Sequence, residues 1–482
     1  MRARRHIWAF FLFAILTALL HKDALRNPFY WDDRPLILNG QRISSWAHLP
    51  ELFTHELWYN VDLGKQAPYT DVDTYRPLLN TSFLIDYQWT TLDPAGYHLT
   101  NLLIHIGCSI LLYFLIIQFL PYCYALIGGV LFCIHPLTTE CVEYVSARAD
   151  SLMFLFFMAS LSIVVRGLSL FSLLGGSLFY LCSLFVKETA LVLPFVALPF
   201  LLIQHRSSKD LVKIFGALGI TTVIYFLLRQ NALNGTKAIK DSQQLIDFLV
   251  YYPQYFGRTF YDFIVPYRTM PMQTFELAGK IESSIIALSI LIFFIAAIKS
   301  HRHLVAATFF AACCVLAPPF MAVSLTTIAN PRYAYASIAF FAFLSAIVFQ
   351  QLYEYEKNAS KTLKTLGILT TIMLIFMTTR ASKAYRTEEL FYKNILVQNP
   401  HHVEAEYNLA NTFYRIKDYQ RAIQFYQEVL SHEPTKVSAL NNLGLSYLRV
   451  NQSILARQVL MQAVALDPDN PKYKSNLALT YK

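Results

Sequence analysis

Up to about residue 380, apolar residues fall into blocks of roughly one membrane thickness, separated by short polar turns. Blocks near 20 residues read as transmembrane helices. The first, MRARRHIWAFFLFAILTALL, has a basic start and no small-residue cleavage site before the charged HKD, so it is expected to be an uncleaved helix that begins in the cytoplasm. The next fall at roughly 98–118, 122–134, 149–165, 168–186, 189–204, 211–228, 284–298, 304–322, 333–350 and 363–379, about eleven spans in all. Segment 245–267, with its Tyr, Asp, Arg and Pro content, suits an interfacial helix better than a span. The loops HRSSKD (205–210), KSHRH (299–303) and YEKNASK (355–361) are basic and orient the chain with those loops inside. The polar stretches 22–97, 135–148, the Lys187-Glu188 corner, 229–283 and 323–332 then share the outer or luminal face.

Beyond residue 382 a different period takes over. Pro400, Pro434 and Pro468 stand 34 residues apart (434−400 and 468−434), and Asn408, Asn442 and Asn476 keep the same step. That is the period of a helix-turn-helix tetratricopeptide repeat. Leu409-Ala410, Leu443-Gly444 and Leu477-Ala478 supply the small positions of successive first helices, and Ala422 and Ala456 those of the second. The expected fold is all-α, a polytopic membrane domain over 1–381 followed by a tetratricopeptide-repeat α-solenoid over 382–482. Full repeats are expected near 403–436 and 437–470.

Composition agrees. Of 482 residues, 55% are hydrophobic and 15% charged, against roughly 25% charged in soluble domains, which excludes an ordinary soluble enzyme or a disordered chain. The net charge of +9 sits largely in short loops, so it signals membrane orientation and not nucleic acid. All seven cysteines lie in or beside apolar runs, and no CxxC or Cys/His metal spacing appears.

Charged residues at the membrane face are costly and therefore informative. FYWDDRPLILNG (29–40) places Asp32 and Asp33 in an aromatic setting, where burial and mutual repulsion can raise one carboxyl's pKa and make it a general base. A helix N-cap is the other reading of this pair. YRPLLN (75–80) contributes Arg76, and GYHLTNLLIH (96–105) contributes His98 and the i,i+4 pair Asn101 and His105. HPLTTECVEYVSARADSLMF (135–154) carries Glu140, Glu143, Arg148 and Asp150; VKE (186–188) carries Lys187 and Glu188; NPRY (330–333) carries Arg332 and Tyr333. An Arg can hold a lipid phosphate through its planar fork, and an aromatic-belt anchor explains Arg332 as well. All these clusters fall on one side of the expected topology. Cations to hold a phosphate leaving group and a carboxylate to take a hydroxyl proton are what a lipid-phosphate-linked substrate requires.

In this order, followed by the repeats, these motifs resemble the transmembrane and tetratricopeptide-repeat protein O-mannosyltransferases and their prokaryotic relatives, in the GT-C class of membrane glycosyltransferases. The resemblance implies an inverting transferase that takes a mannose-like hexose from a polyprenyl-phosphate donor and attaches it to protein hydroxyls on the periplasmic or luminal face. It implies a catalytic acid in the first outer loop, matched by Asp32 and Asp33, with Asp32 favoured. Donor-phosphate contacts are expected from Arg148, Lys187, Arg332 and Tyr333, with Arg76, His98, Glu140, Asp150 and Glu188 as further site members. No cofactor is expected, although Asp32, Asp33 and Glu140 could hold a divalent ion. The expected partners are the lipid-linked donor, membrane lipids and a protein acceptor, with no nucleic acid. Asn408, Asn442 and Asn476 are expected to form an amide ladder gripping the acceptor backbone, unless Asn there merely tolerates a solvated helix face. The short repeat tail points to a bacterial inner membrane with the repeats in the periplasm, or the endoplasmic reticulum membrane in a eukaryote. A catalytically silent repeat scaffold and a polyprenyl-linked polysaccharide ligase or polymerase remain as alternatives.

Overall fold

A computed structural model describes residues 2–60, 74–233, 242–266, 302–326, 328–355 and 360–481, with scattered residues between 273 and 299. The chain is helical and divides into two compact units, one formed by 1–269 with 275–383, the other by 384–482 with a short piece at 270–274.

Among the described residues of the first unit, six helices are long and apolar enough to cross a bilayer: Pro94–Ile116, Val145–Arg166, Ser208–Ala232, His303–Phe320, Pro331–Tyr355 and Lys361–Tyr385. A seventh crossing results if the bent pair Tyr122–Cys133 and Pro136–Glu143 is counted as one broken span. Of the other expected spans, 168–186 and 189–204 correspond to apolar helices below full spanning length. The run 284–298 lies mostly outside the described residues. Segment 245–267 forms a helix, Ser242–Ile264, with Pro253 inside it. Apolar side chains stand exposed along Ser208–Ala232 (Val212, Ile220, Leu227) and Ser360–Ser382 (Ile368, Ile372, Phe376). Lipid covers such faces in a membrane protein.

Local chemistry sets the helix starts. Asp93 caps Pro94–Ile116 by accepting from the Ala95 N–H (3.1 Å), with Pro94 at the first helical position. Ser207 caps Ser208–Ala232 in the same way. Where helices meet, small residues let them approach. A Cβ on Gly128 would come within 2.6 Å of Ile116 Cδ1, and one on Gly129 within 2.6 Å of Phe13 Cζ.

The first outer loop folds on its own hydrophobic cluster. Phe29, Leu36, Ile37, Ile43, Leu52 and Leu57 pack with Leu79 and Phe83 of the helix Pro77–Thr90, and against Tyr97, Val145 and Ala149 from the membrane helices. The loop is thereby docked onto the ends of two spans, and Asp32 and Asp33 are placed at that junction.

The second unit stacks paired helices: Val403–Arg415 with Tyr419–His432, then Val437–Arg449 with Ser453–Leu466. Gly444 sits where a Cβ would come 2.4 Å from Leu460 Cγ, so the two helices of that pair touch through it.

Candidate active site

One cavity of about 180 Å³ collects most of the charged residues singled out in the sequence. Asp32, Arg76, Asp150, Lys187, Glu188, Arg332 and Tyr333 all line it, with Trp58, Ser146 and the Pro318-Pro319 step of a membrane helix completing the wall. At about 30 Å³ per water it has room for about six waters or a phosphate-sized group. Its members come from the first outer loop, the start of Arg148–Arg166, the Lys187-Glu188 corner and the Pro331–Ala334 turn.

The two adjacent aspartates do different work. Trp31, just before them, has φ +50°, a left-handed conformation that costs a bulky residue strain and turns the chain sharply. Asp33 is fully buried: its Oδ1 accepts from the Ser146 N–H (2.7 Å) and hydroxyl, and its Oδ2 from the Tyr30 N–H (3.3 Å). It ties the loop to the membrane helices. Asp32 is half-buried and faces the cavity, its backbone N–H donating to the Tyr144 hydroxyl (3.1 Å). Burial pushes the Asp32 carboxyl above its ordinary 3.8, against the pull of Arg332, the Tyr144 hydroxyl and Arg76. Burial likewise pushes Asp33 up to about 7, outweighing the Ser146 and Tyr30 donors.

Three cations line the same cavity as Asp32, each paired with an acid. Arg76 makes a two-pronged pair with Glu188, Nη2 to Oε1 at 2.9 Å and Nε to Oε2 at 3.3 Å. Lys187 is paired with Asp150, and its ammonium lies 5.2 Å from the Tyr333 ring centroid. Arg332 lies over the rings of Tyr144 (5.4 Å) and Tyr333 (5.6 Å), its N–H donates to Glu140 Oε2 (3.2 Å), and its Nη1 is 3.8 Å from Glu140 Oε1. Arg332 thus keeps the loosest side-chain pairing of the three.

Two expectations are corrected. Arg148 is fully buried and held by the protein: Nε donates to Asn101 Oδ1 (2.7 Å), Nη2 to the Tyr97 carbonyl (2.7 Å) and Nη1 to the Ser82 hydroxyl (3.1 Å), and Nη1 forms an ion pair with Asp86 (2.6 Å). It is a structural strut and does not line the cavity. The amide ladder is also changed. Asn442 donates to Asn411 Oδ1 (2.9 Å) and the Tyr407 hydroxyl (3.1 Å), Asn441 donates to Asn442 Oδ1 (3.0 Å), and Asn476 donates to Asn441 Oδ1 (2.7 Å). These amides bridge neighbouring repeats and hold their register. Asn408 is half-buried on the equivalent helix face.

His98 is fully buried and does not line the cavity, while Glu140 stands behind it as the Arg332 partner. Of the three carboxylates that could hold a divalent ion, Asp33 is engaged by Ser146 and Tyr30, and Glu140 by Arg332. Sequence reasoning passed over Tyr144, Ser146 and Asp86, which are uncharged or set within an apolar helix. Glu143 gathers His21 (2.7 Å), Asn27 (2.7 Å) and Ser382 (2.6 Å) into a buried polar knot.

A general base at Asp32 must be ionised. A raised pKa means that the ionised form is lost at a higher pH than for a free aspartate, so the acid limb of a pH–rate profile is expected above the ordinary carboxylate range. Arg332→Gln removes the largest influence lowering that pKa and should move the limb further up. A limb that stays in place would show that another group titrates.

Comparison with known proteins gives two kinds of match. Two tetratricopeptide repeat models match, one over residues 403–436 and the other over 437–470. Protein O-mannosyl-transferase tmtc2 of Xenopus laevis is 34% identical over 187 residues, 37% of this chain and 22% of that protein. Protein O-mannosyl-transferase F38B6.6 of Caenorhabditis elegans is 25% identical over 422 residues, 82% of this chain and 58% of that protein. The chain is similar to protein O-mannosyl-transferases. It spans only 22% of the length of the frog protein and also of TMTC4 from Mus musculus, to which it is 30% identical over 168 residues, 32% of this chain. Among solved structures, the archaeal oligosaccharyltransferase AglB from Archaeoglobus fulgidus, in complex with an inhibitory peptide and a dolichol-phosphate, aligns over 84% of this chain and 59% of that chain. The TM-score is 0.40 at 12% identity.

Proposed function

We propose that this protein is a membrane glycosyltransferase that moves a mannose-like hexose from a polyprenyl-phosphate donor to a protein hydroxyl, with inversion at the sugar carbon. The observation that carries this reading is the Asp32 carboxylate facing one cavity with Arg76, Lys187 and Arg332. Similarity to protein O-mannosyl-transferases over most of the chain supports the same class.

In this mechanism the donor phosphate lies against Arg332 and Lys187, with Arg76 adding positive field. Asp32 takes the acceptor hydroxyl's proton as its oxygen attacks the anomeric carbon from the face opposite the phosphate. The bond from carbon to phosphate oxygen breaks, and the polyprenyl phosphate leaves with the electron pair, stabilised by the cations. Preorganised cations are effective here because Glu188, Asp150 and Glu140 fix them before substrate arrives. These cations supply the charge that a divalent ion would otherwise bring, and we propose a reaction without one. The repeats recruit the protein acceptor; since the Asn442 and Asn476 amides donate within the unit, acceptor contacts at this face centre on Asn408.

Arg332→Gln tests the donor contact. Losing a charged hydrogen bond worth roughly 1.5–3 kcal/mol should raise the KM for the lipid-linked donor about 10- to 100-fold. Steady-state transfer with varied donor measures it, and an unchanged KM would remove Arg332 from the phosphate site.

A further inference from the structure

We infer that His401, Glu406 and His432 form a binding site for a divalent transition metal of the zinc class at the head of the first repeat. His401 lies two residues before the helix Val403–Arg415, Glu406 lies in that helix's first turn, and His432 ends the partner helix Tyr419–His432. One potential ligand atom from each lies within 4.8 Å of the other two. His432 Nε2 is 3.5 Å from Glu406 Oε1, and the two imidazole rings meet edge to face at 4.9 Å between centroids. Tetrahedral ligands about 2.1 Å from zinc stand roughly 3.4 Å apart, so closure of about 1 Å by two exposed imidazoles completes the geometry.

The second observation is the carboxylate itself. Glu406 is buried, and its Oε2 is shielded from solvent with no hydrogen-bond partner among the described residues. A buried, unsatisfied carboxylate oxygen is expensive, and a cation held by two neighbouring imidazoles satisfies it. Two His and one Glu leave a fourth position for water, the ligand set favoured by zinc-class ions. The spacing of 5 residues (406−401) and then 26 (432−406) hides the site from any local motif. A bound ion would tie the end of one helix of the repeat to the start of its partner. This site is independent of the membrane cavity, so it stands or falls apart from the proposed transfer.

The test uses the full chain purified in detergent without a histidine tag, stripped with chelator, equilibrated with Zn²⁺ and dialysed, then measured for metal content. Co²⁺ substitution reports ligand geometry through its visible absorption. The wild type should keep about one zinc per chain and show tetrahedral Co²⁺ bands. His401→Ala/His432→Ala should lose both, and Glu406→Gln, nearly isosteric and able to fold where the double variant fails, should weaken affinity at least about tenfold. Equal zinc in wild type and variants, or a wild type binding no tighter than about 100 μM, would overturn the site.

Discussion

Asp32→Asn should lower kcat for sugar transfer by roughly 10²- to 10⁴-fold while leaving the donor KM equal or slightly lower. The amide keeps the shape of the side chain, and the backbone N–H that holds the residue to Tyr144 is untouched, so the cavity wall survives. What disappears is the proposed proton acceptor, together with a negative charge beside Arg332 and Arg76, so the proposed hold of these cations on a donor phosphate should not weaken. Asp33→Asn should behave differently. It disturbs three donor contacts from Ser146 and Tyr30 and should show as lost thermal stability of the loop and lower yield, not as a clean kcat effect. Kinetics of both variants at equal protein amounts, with donor varied, separate these outcomes. A donor KM that rises in Asp32→Asn with kcat unchanged would remove Asp32 as the base.

The second large effect concerns Arg148. Arg148→Met strands the Asp86 carboxylate, 6% exposed, without the guanidinium that neutralises it. Breaking one half of a buried ion pair costs about 3–5 kcal/mol, a large share of a domain's net stability. The detergent-solubilised variant should therefore aggregate or melt well below the wild type. Arg148→Met/Asp86→Leu removes both charges and should recover most of that stability, since apolar replacement of a whole buried pair is often neutral or stabilising. The double variant should also keep a normal donor KM. A raised KM in a well-folded double variant would restore Arg148 to the phosphate site.

These two residues show how far the sequence could be read. Asp32, Arg76, Lys187 and Arg332 announced themselves because an ionisable group beside an apolar span is costly and needs a reason. Nothing local says which charges are spent on the protein and which face a cavity. Arg148 and Lys187 both look like outer-face cations; only packing brings Asp86 and Asn101 onto Arg148. Tyr144 and Ser146 escaped notice because an uncharged polar residue carries no comparable penalty, yet they orient the two aspartates. The 34-residue step gave the repeats directly. It did not reveal that Asn442 and Asn476 spend donors on Asn411 and Asn441, because Asn411 and Asn441 fall outside that step. The apolar runs at 168–186 and 189–204 promised spans; the helices that form there are shorter, and the second contains Pro199.

The most direct test of the central claim is transfer of radiolabelled mannose from a polyprenyl-phosphate donor to protein, in proteoliposomes containing equal amounts of wild-type chain or Asp32→Asn. Label should enter protein with the wild type and fall to near background with the variant. Equal labelling in both, or no labelling by a well-folded wild type with any polyprenyl-phosphate sugar, would contradict it.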